Sequence, residues 1–188
     1  MNISFGKKIP IMQCQVQSLK TGNFVPSTVY EYDCKDNNDA FDINDIDGYW
    51  IFKPQIFHQA LDKTQLPKKY ANTRIYSIET KQGETLGMMV TDKDKENNDI
   101  DVLENKFMSG YKYVGTNLIT AAAQETLKQD YEKLTIKHPI PEVRTFYIEK
   151  CGFRETDTRP LVLNREELPE LIKHTEAKTK TKIIDLKG

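Results

Sequence analysis

Residues 141–153 read PEVRTFYIEKCGF and carry the signals for both ends of a helix. Pro141 suits the first helical position, because the N–H that proline lacks would have no partner there. Glu142 in the first turn and Lys150 in the last turn both complement the helix dipole. Gly152 is typical of the position just beyond a helix C-terminus. The pattern therefore predicts a helix that begins at Pro141 and ends before Gly152.

A strand, a loop and another helix are predicted upstream of this segment. Ile100–Phe107 is predicted as a strand, the loop 109–116 reads SGYKYVGT, and an Ala-rich helix with apolar residues at helical spacing follows. The N-terminus of a helix has free N–H groups and a partial positive charge, so it binds phosphate readily. Gly115 would let the backbone approach a pyrophosphate closely. The loop is therefore a candidate phosphate site.

Three kinds of phosphate-binding site can be compared with this loop: a P-loop, a dinucleotide-binding turn and a coenzyme A site. Gly110 and Gly115 have the spacing of a P-loop, but Thr116 and Asn117 replace its Lys and Ser/Thr, which argues against a nucleotide triphosphatase. The absence of GxGxxG argues against a dinucleotide fold. A coenzyme A pyrophosphate needs only the amides and a small residue, and Lys112 could add charge. Taken alone, the loop fits a plain strand-to-helix turn better than any of these sites.

Together the two segments resemble the GNAT superfamily of N-acetyltransferases. Members commonly have a strand, a Gln/Arg-x-x-Gly-x-Gly/Ala turn that opens a helix, a short strand, and a helix with a Phe-Tyr pair that is followed by Gly-Phe. This chain has Phe146-Tyr147 and Gly152-Phe153 in those places. The resemblance covers Thr73 to Thr156, and the whole chain more loosely. It implies an α/β (α+β) fold with a mixed, mostly antiparallel sheet, a central splayed parallel strand pair and flanking helices.

The resemblance also implies acetyl-CoA as a co-substrate. Its pantetheine would pair with the strand before the turn, and its pyrophosphate would lie at the helix start. The implied cofactor-binding residues are Val102, Leu103, Glu104, Lys112, Tyr113, Val114, Gly115 and Thr116. The chain departs from the family pattern at Gly110, where Gln or Arg is usual, at Tyr113, where Gly is usual, and at Ile140, where Asn is frequent.

The same resemblance suggests the catalytic groups. Tyr147 matches the tyrosine that lies near the cofactor sulfur, and its hydroxyl is a proton donor at neutral pH. Asp101 and Glu104 are the candidate general bases. Because side chains alternate along a strand, these two are expected to face opposite sides of the sheet, so at most one faces the acceptor. Asp99 and His138 are further candidates. For each carboxylate singly a surface charge is the simpler interpretation, and for His138 a hydrogen-bonded loop histidine is the commoner outcome.

Composition limits the partners. The chain has 188 residues and a formal net charge of −1, so no overall attraction to nucleic acid or membrane is expected. Three cysteines without a CxxC pair predict neither a disulfide framework nor a metal site. The start MNISFGKKIPIMQ lacks the apolar region of a signal peptide, and no apolar run reaches the roughly 18 residues of a membrane span. A cytoplasmic monomer or homodimer is expected.

Acidic segments leave the acceptor open. Asp33–Gly48 contains six aspartates, but an EF-hand is excluded because Gly48 at loop position 6 would put Ile43 at position 1. For this segment a solvated acidic loop or a helix start is the preferred interpretation. This segment and Asp92–Glu104 would suit a cationic amine such as a polyamine, an aminoglycoside or the lysine side chain of a peptide, but solvated loops explain both equally well.

The remaining patterns predict one domain over residues 1–165, followed by a C-terminal helix and a basic, mobile tail at 166–188. Tyr49–Lys63 is expected to be helical in part, with Pro54 interrupting the helix, and Asn164 with Glu167 resembles a capping box. The other predicted strands are Ile9–Gln17, Phe24–Tyr32, Thr73–Thr80, Glu84–Thr91, Leu134–Ile136, Phe153–Thr156 and Pro160–Leu163.

The activity that follows is transfer of an acetyl group from acetyl-CoA to a primary amine, by direct attack in a ternary complex. The departures at Gly110, Tyr113 and Ile140 favour an alternative: a catalytically silent acyl-CoA-binding or protein-interaction module. A toxin that acetylates aminoacyl-tRNA is a third reading. Only the Lys-rich segment from Lys173 to Lys182 supports it, and the net charge opposes it.

Overall fold

The computed structural model describes residues 8–94 and 96–187. Within these ranges the chain forms ten strands and five α-helices. The strands are β1 (Lys8–Ser18), β2 (Phe24–Tyr32), β3 (Arg74–Thr80), β4 (Thr85–Lys93), β5 (Asn97–Asn105), β6 (Tyr111–Lys112), β7 (Lys133–Ile136), β8 (Arg154–Glu155), β9 (Leu161–Asn164) and β10 (Ile184–Asp185). The helices are α1 (Asn37–Asn44), α2 (Lys53–Gln65), α3 (Val114–Lys128), α4 (Pro141–Cys151) and α5 (Leu168–Thr179).

One mixed sheet organises the chain. Its strand order is β10-β1-β2-β3-β4-β5-β7-β9-β8, and β6 pairs with β1. Of the pairs between these strands, only β5 with β7 is parallel, because α3 carries the chain across the sheet between them. Their pairing runs from Asn97 opposite Lys133 to Ile100 opposite Ile136 and then ends, while β5 continues to Asn105. This arrangement confirms the predicted mixed, mostly antiparallel sheet with a central parallel pair.

Hydrophobic cores lie on both faces of the sheet. One core joins the sheet to α3 and α5, and the other joins it to α1 and α2. Met88 and Met89 on β4 belong to opposite cores, as the alternation of side chains along a strand requires. The run Thr85–Thr91 is therefore buried along its whole length. Gly87 lets α3 approach closely, because a Cβ there would lie 2.6 Å from Val114 Cγ1.

The three cysteines lie inside these cores. Cys14, Cys34 and Cys151 are free thiols with 3–5% exposure. Burial raises the pKa of each thiol to about 12. None of them has the lowered pKa of a reactive cysteine.

The acidic segment is more ordered than a solvated loop. Asp36 caps α1 by accepting the amide of Asn38 at 2.9 Å. Asp39 is buried beside this turn, and burial raises the pKa of its carboxyl. Pro54 lies in the first turn of α2 and therefore begins that helix rather than interrupting it.

The C-terminal tail differs from its prediction as a mobile segment. After α5 the chain returns to the sheet, where β10 pairs antiparallel with β1 through Met12–Asp185 and Gln13–Ile184. Asp185 also forms an ion pair with Lys128 at the end of α3. A strand of two residues is too short to show alternating polar and apolar side chains in the sequence. Its conformation depends instead on pairing with β1. The predicted domain boundary at residue 165 stays a prediction.

A buried charge network ties the tail to the sheet. Lys93 Nζ lies 2.7 Å from Glu125 Oε1, with side chains only 5% and 11% exposed. Lys187 forms an ion pair with Glu31, whose other oxygen lies 3.3 Å from Arg74 Nε. Burial alone would raise the pKa of Glu125, but the hydrogen bond and charge of Lys93 hold it below the ordinary value.

Replacement of Glu125 by Gln should destabilise the fold, because it leaves Lys93 buried without a charge partner. We expect a loss of about 3 kcal/mol in the free energy of unfolding at pH 7, measured by urea denaturation. The folded pKa of Glu125 lies below its unfolded value, so its contribution is present above that value and is lost as the pH falls through the folded pKa. The acid-induced decline in Tm should therefore be shallower in the variant.

Glu149→Gln is the control, because Glu149 is exposed on α4. Equal stability of the Glu125→Gln and Glu149→Gln proteins would contradict this role of the network.

Candidate functional site

A cleft of about 620 Å³ opens where β5 parts from β7. This volume lies in the range of small-molecule sites. The walls come from five parts of the chain: the loop before α2, the end of β5 with the loop after it, the start of α3, α4, and α5. The residues that line these walls are Ile51, Phe52, Leu103, Glu104, Asn105, Phe107, Tyr111, Lys112, Tyr113, Val114, Gly115, Thr116, Ile140, Val143, Phe146, Tyr147, Lys150, His174 and Lys178.

The N-terminus of α3 forms one end of the cleft. β6 pairs with β1 through Lys112–Gln17 and Tyr111–Ser18, which fixes the loop before the helix. No side chain in the described part of the chain caps the helix, and its first amides belong to Val114, Gly115 and Thr116. Uncapped amides at a helix start bind anions well. The structure thus brings the predicted phosphate-loop residues together on one wall.

Tyr113 occupies the position where glycine is usual and has a left-handed conformation, with φ 68°. A non-glycine residue pays about 1–2 kcal/mol for this conformation. The ring of Tyr113 stacks on Phe24 of β2, with centroids 6.4 Å apart and planes 9° from parallel. This contact offsets the backbone strain, so the turn keeps its shape despite the departure.

Gly115 lies close to the end of β5. A Cβ on Gly115 would approach Asn105 Oδ1 to 3.3 Å, which is tighter than an ordinary contact. Gly115 therefore lets the first turn of α3 lie against β5. The predicted role in close approach to a ligand phosphate stays a prediction.

The end of β5 has a free backbone edge toward the cleft. The amide of Lys106 donates to Leu86 on β4 at 2.8 Å, and the amide of Lys137 donates to Ile100 at 3.1 Å beside the last β5–β7 pair. Backbone groups alternate in direction along a strand. The amide and carbonyl of Leu103 therefore point away from β4, into the gap beside β7. An extended ligand can pair with such an edge as an added strand would.

A β-bulge changes the side-chain directions on β5. Val90 pairs with Val102, and Thr91 pairs with Ile100, so Asp101 is the extra residue. The expectation that Asp101 and Glu104 face opposite sides is wrong. Both carboxylates contact α2 or the loop before it, because one inserted residue shifts the alternation.

Glu104 has a structural task in this arrangement. Its two oxygens accept the backbone amides of Ile51 and Phe52, at 2.5 and 2.9 Å, just before α2. The side chain thereby holds the loop that forms the cleft mouth. Because both oxygens are engaged, Glu104 is less available as a general base than the sequence suggested.

Asp101 lies at a smaller pocket of about 150 Å³ that adjoins the cleft. Its Oδ2 accepts a hydrogen bond from Gln59 Nε2 at 3.0 Å. His138 and Tyr147 line the same pocket. Asp99, by contrast, is paired with Lys137 at 3.2 Å. Of the candidate bases, Asp101 and His138 therefore remain beside Tyr147.

Tyr147 lies between the two pockets and lines both. Edge-to-face contacts hold its ring between Phe146 and Phe153, at centroid distances of 5.5 and 6.4 Å. Burial, with a smaller effect of Cys151, raises the pKa of Tyr147 to about 12. Its hydroxyl therefore stays protonated at neutral pH and can donate a proton.

The cleft mouth carries exposed apolar side chains that the sequence analysis did not single out. Tyr49, Ile51 and Phe107 are each more than 60% exposed. The rings of Tyr49 and Phe107 make an edge contact at 5.9 Å. Gly48 packs against the Lys106 side chain, because a Cβ on Gly48 would lie 2.7 Å from Lys106 Cε. The two loops therefore form one preformed apolar mouth, and their irregular sequences carry no periodic signal.

Basic side chains also line the cleft. Lys112, Lys150 and Lys178 reach its wall together with His174. Only Lys112 was predicted as a binding residue. The sequence suggested only that Lys150 complements the dipole of α4, and α5 was expected to lead into a mobile tail. Helical spacing of His174 and Lys178 is the one signal that could have grouped them on a common face.

The described ranges 8–94 and 96–187 contain neither a candidate membrane span nor a candidate metal site. No helix there is long and apolar enough to cross a membrane. No group of three or more His, Cys, Asp or Glu side chains there converges as metal ligands would.

Solved structures of GNAT acetyltransferases share this fold, although no protein-family model and no curated protein matches the sequence. AtaTR bound with AcCoA aligns with 77% of this chain and 97% of that chain, at TM-score 0.54 and 12% identity. The spermidine/spermine N-acetyltransferase SpeG of Vibrio cholerae aligns over 77% and 96%, at TM-score 0.52 and 14% identity. A GNAT-family acetyltransferase of Staphylococcus aureus Mu50 aligns over 74% and 99%, at TM-score 0.52 and 12% identity.

A GNAT-family acetyltransferase of Elizabethkingia anophelis is 22% identical but aligns over only 50% of this chain and 62% of that one, at TM-score 0.41. The longer alignments establish the fold. The chain has the GNAT fold, as the resemblance of residues 141–153 implied.

Glu104 and Asp101 should differ in the effects of their removal. Glu104→Ala should lower the free energy of unfolding by about 2–3 kcal/mol, because two backbone amides lose a charged acceptor. Asp101→Asn should keep its contact with Gln59 and leave stability nearly unchanged. Urea denaturation of both variants measures the difference. If Glu104→Ala is as stable as the parent protein, the carboxylate does not hold the loop before α2.

Proposed function

We propose that this protein is an acetyl-CoA-dependent N-acyltransferase that transfers an acetyl group to a primary amine. The observation that carries this proposal is the continuity of the cleft. It connects the uncapped start of α3 to the free edge of β5 at Leu103, and Tyr147 lies beside that edge. The GNAT fold supports the same conclusion, because acetyl-CoA is bound in solved structures with this fold.

Acetyl-CoA binding would use groups that the fold leaves unpaired. The amides of Val114, Gly115 and Thr116 would bind the diphosphate, with Lys112 adding charge. The backbone of Leu103 would pair with the amide groups of pantetheine. Val102 and Glu104 would contribute through their positions on the strand rather than through their side chains, since Val102 is buried and Glu104 binds the loop before α2.

Two protons leave the acceptor nitrogen in the reaction. The acceptor ammonium gives the first proton to Asp101, directly or through water, and the free amine attacks the thioester carbonyl carbon. As the C–S bond breaks, the Tyr147 hydroxyl gives its proton to the departing thiolate, and the second proton of the attacking nitrogen restores that hydroxyl, directly or through water. Asp101 and Tyr147 line the same small pocket, so both groups are near one reacting centre. His138 is the alternative base.

The acceptor we propose is an amine attached to an apolar group. Among the described residues, Glu104 is the only acidic one in the wall of the main cleft, and its oxygens are engaged with backbone amides. Tyr49, Ile51 and Phe107 instead surround the mouth with apolar surface. This arrangement suits an aryl or alkyl group better than the polycation that the acidic segments suggested.

A catalytically silent acyl-CoA-binding module is the second candidate. Ile140 favours it, because this residue lines the cleft where a polar Asn is frequent in the family. Incubation of the protein with acetyl-CoA and a panel of amines separates the two. A silent module would bind acetyl-CoA and release no CoA with any amine.

Tyr147→Phe should lower kcat by about 10²-fold or more, the usual effect of losing a general acid. The KM for acetyl-CoA should change little, because the ring and its aromatic contacts remain. Since burial raises the pKa of Tyr147 to about 12, the parent enzyme should show no decline in kcat from this group between pH 7 and 10. An unchanged kcat in the variant would remove Tyr147 from the mechanism.

A phenylalkylamine should be a better acceptor than spermidine, by about tenfold or more in kcat/KM, because burying its ring contributes about 1.5–3 kcal/mol. Phe107→Ser should reduce this preference. Phe41→Ser is the matched control, because Phe41 is similarly exposed but lies on α1, outside the cleft wall. A clear preference for spermidine in the parent enzyme would show that the apolar mouth does not select the acceptor.

A further inference from the structure

We infer that the C-terminal helix α5 belongs to the cofactor site, where Lys178 and Lys150 bind the 3′-phosphate of coenzyme A. The protein would then select coenzyme A over its 3′-dephospho form. This inference rests on the proposed function, and it assigns to the C-terminal segment a role in ligand recognition.

The placement of the basic residues is the first argument. His174 and Lys178 are one turn apart on α5, so they share one face of the helix, and both line the cleft. Lys150 reaches the same cleft from the end of α4. Three separate segments of the chain therefore bring basic groups to the cleft: the loop before α3, the end of α4, and α5.

The charge balance of the cleft is the second argument. Lys112, Lys150 and Lys178 form no ion pair with any residue of 8–94 or 96–187, whereas seven other lysines do. The one carboxylate of the cleft wall, Glu104, is engaged elsewhere. The cleft is therefore complementary to a polyanion.

Coenzyme A carries a diphosphate and a separate 3′-phosphate. The start of α3 offers backbone amides and about half a positive charge, which suits the diphosphate. Lys150 on α4 and Lys178 on α5 add positive charge to the same cleft. If the α3 amides bind the diphosphate, the 3′-phosphate is the anionic group of coenzyme A that still needs a partner.

Packing holds α5 firmly against α3. Thr120 Oγ1 on α3 lies 2.9 Å from Thr175 Oγ1 on α5, and both residues are fully buried. Beyond the helix, Lys180 Nζ lies 5.6 Å from the centre of the Phe24 ring, which stacks on Tyr113. The helix that carries Lys178 is therefore held at a fixed place relative to the α3 start.

Calorimetric titration of the full-length protein with coenzyme A and with 3′-dephospho-coenzyme A tests the inference. The parent protein should bind coenzyme A about tenfold more tightly, the effect of one charged hydrogen bond. Lys178→Ala and Lys150→Ala should each weaken coenzyme A binding and leave the affinity for the dephospho form nearly unchanged. The control is Lys173→Ala, because Lys173 is exposed on α5 and is absent from the cleft wall.

Equal affinity of the parent protein for the two ligands would overturn the inference and leave the proposed function intact. An equal loss of affinity for both ligands in Lys178→Ala would also overturn it, because the lysine would then act on the fold or on the diphosphate. If neither ligand binds, the proposed function fails and the inference fails with it.

Discussion

Beyond Ile100 and Ile136 the two parallel strands stop pairing, while β5 still pairs with β4 on its other side. On the side away from β4, no strand within residues 8–94 or 96–187 lies beside the backbone of Leu103, and the start of α3 lies next to that gap. Gly87 and Gly115 permit this geometry, since side chains there would collide with Val114 or crowd Asn105. The cleft, the exposure of the α3 start to it and the approach to Tyr147 all follow from this one interruption of the sheet.

Local signals predicted the elements that surround the gap. Pro141 and Gly152 bound α4 as expected, and Gly152 has the left-handed conformation of a helix C-cap, with φ 80°. The capping box of Asn164 and Glu167 also forms. Such signals depend on a few neighbouring residues, so a sequence can reveal them. The bulge at Asp101 depends on the register between β4 and β5, which no pattern within β5 contains.

The parts of the candidate site that consist of backbone groups could be predicted from the sequence. The α3 start and the β5 edge follow from a strand, a turn and a helix in the right order. The apolar mouth and the basic side chains of the cleft could not be predicted, because only tertiary packing brings Tyr49, Phe107 and Lys178 to the same site. Glu104 illustrates the same limit: its type and position suggest chemistry, while its partners, the amides of Ile51 and Phe52, give it a structural task.

The burial of all three cysteines has a practical consequence for measurement. With pKa values of about 12, the protein thiols stay protonated and shielded, so they react slowly with disulfide reagents. Coenzyme A thiol released in solution would then dominate the signal of a chromogenic disulfide. Cys14, Cys34 and Cys151 sit in different parts of the two cores. Their loss of protection would report opening of the fold, so a single reagent could follow both turnover and unfolding.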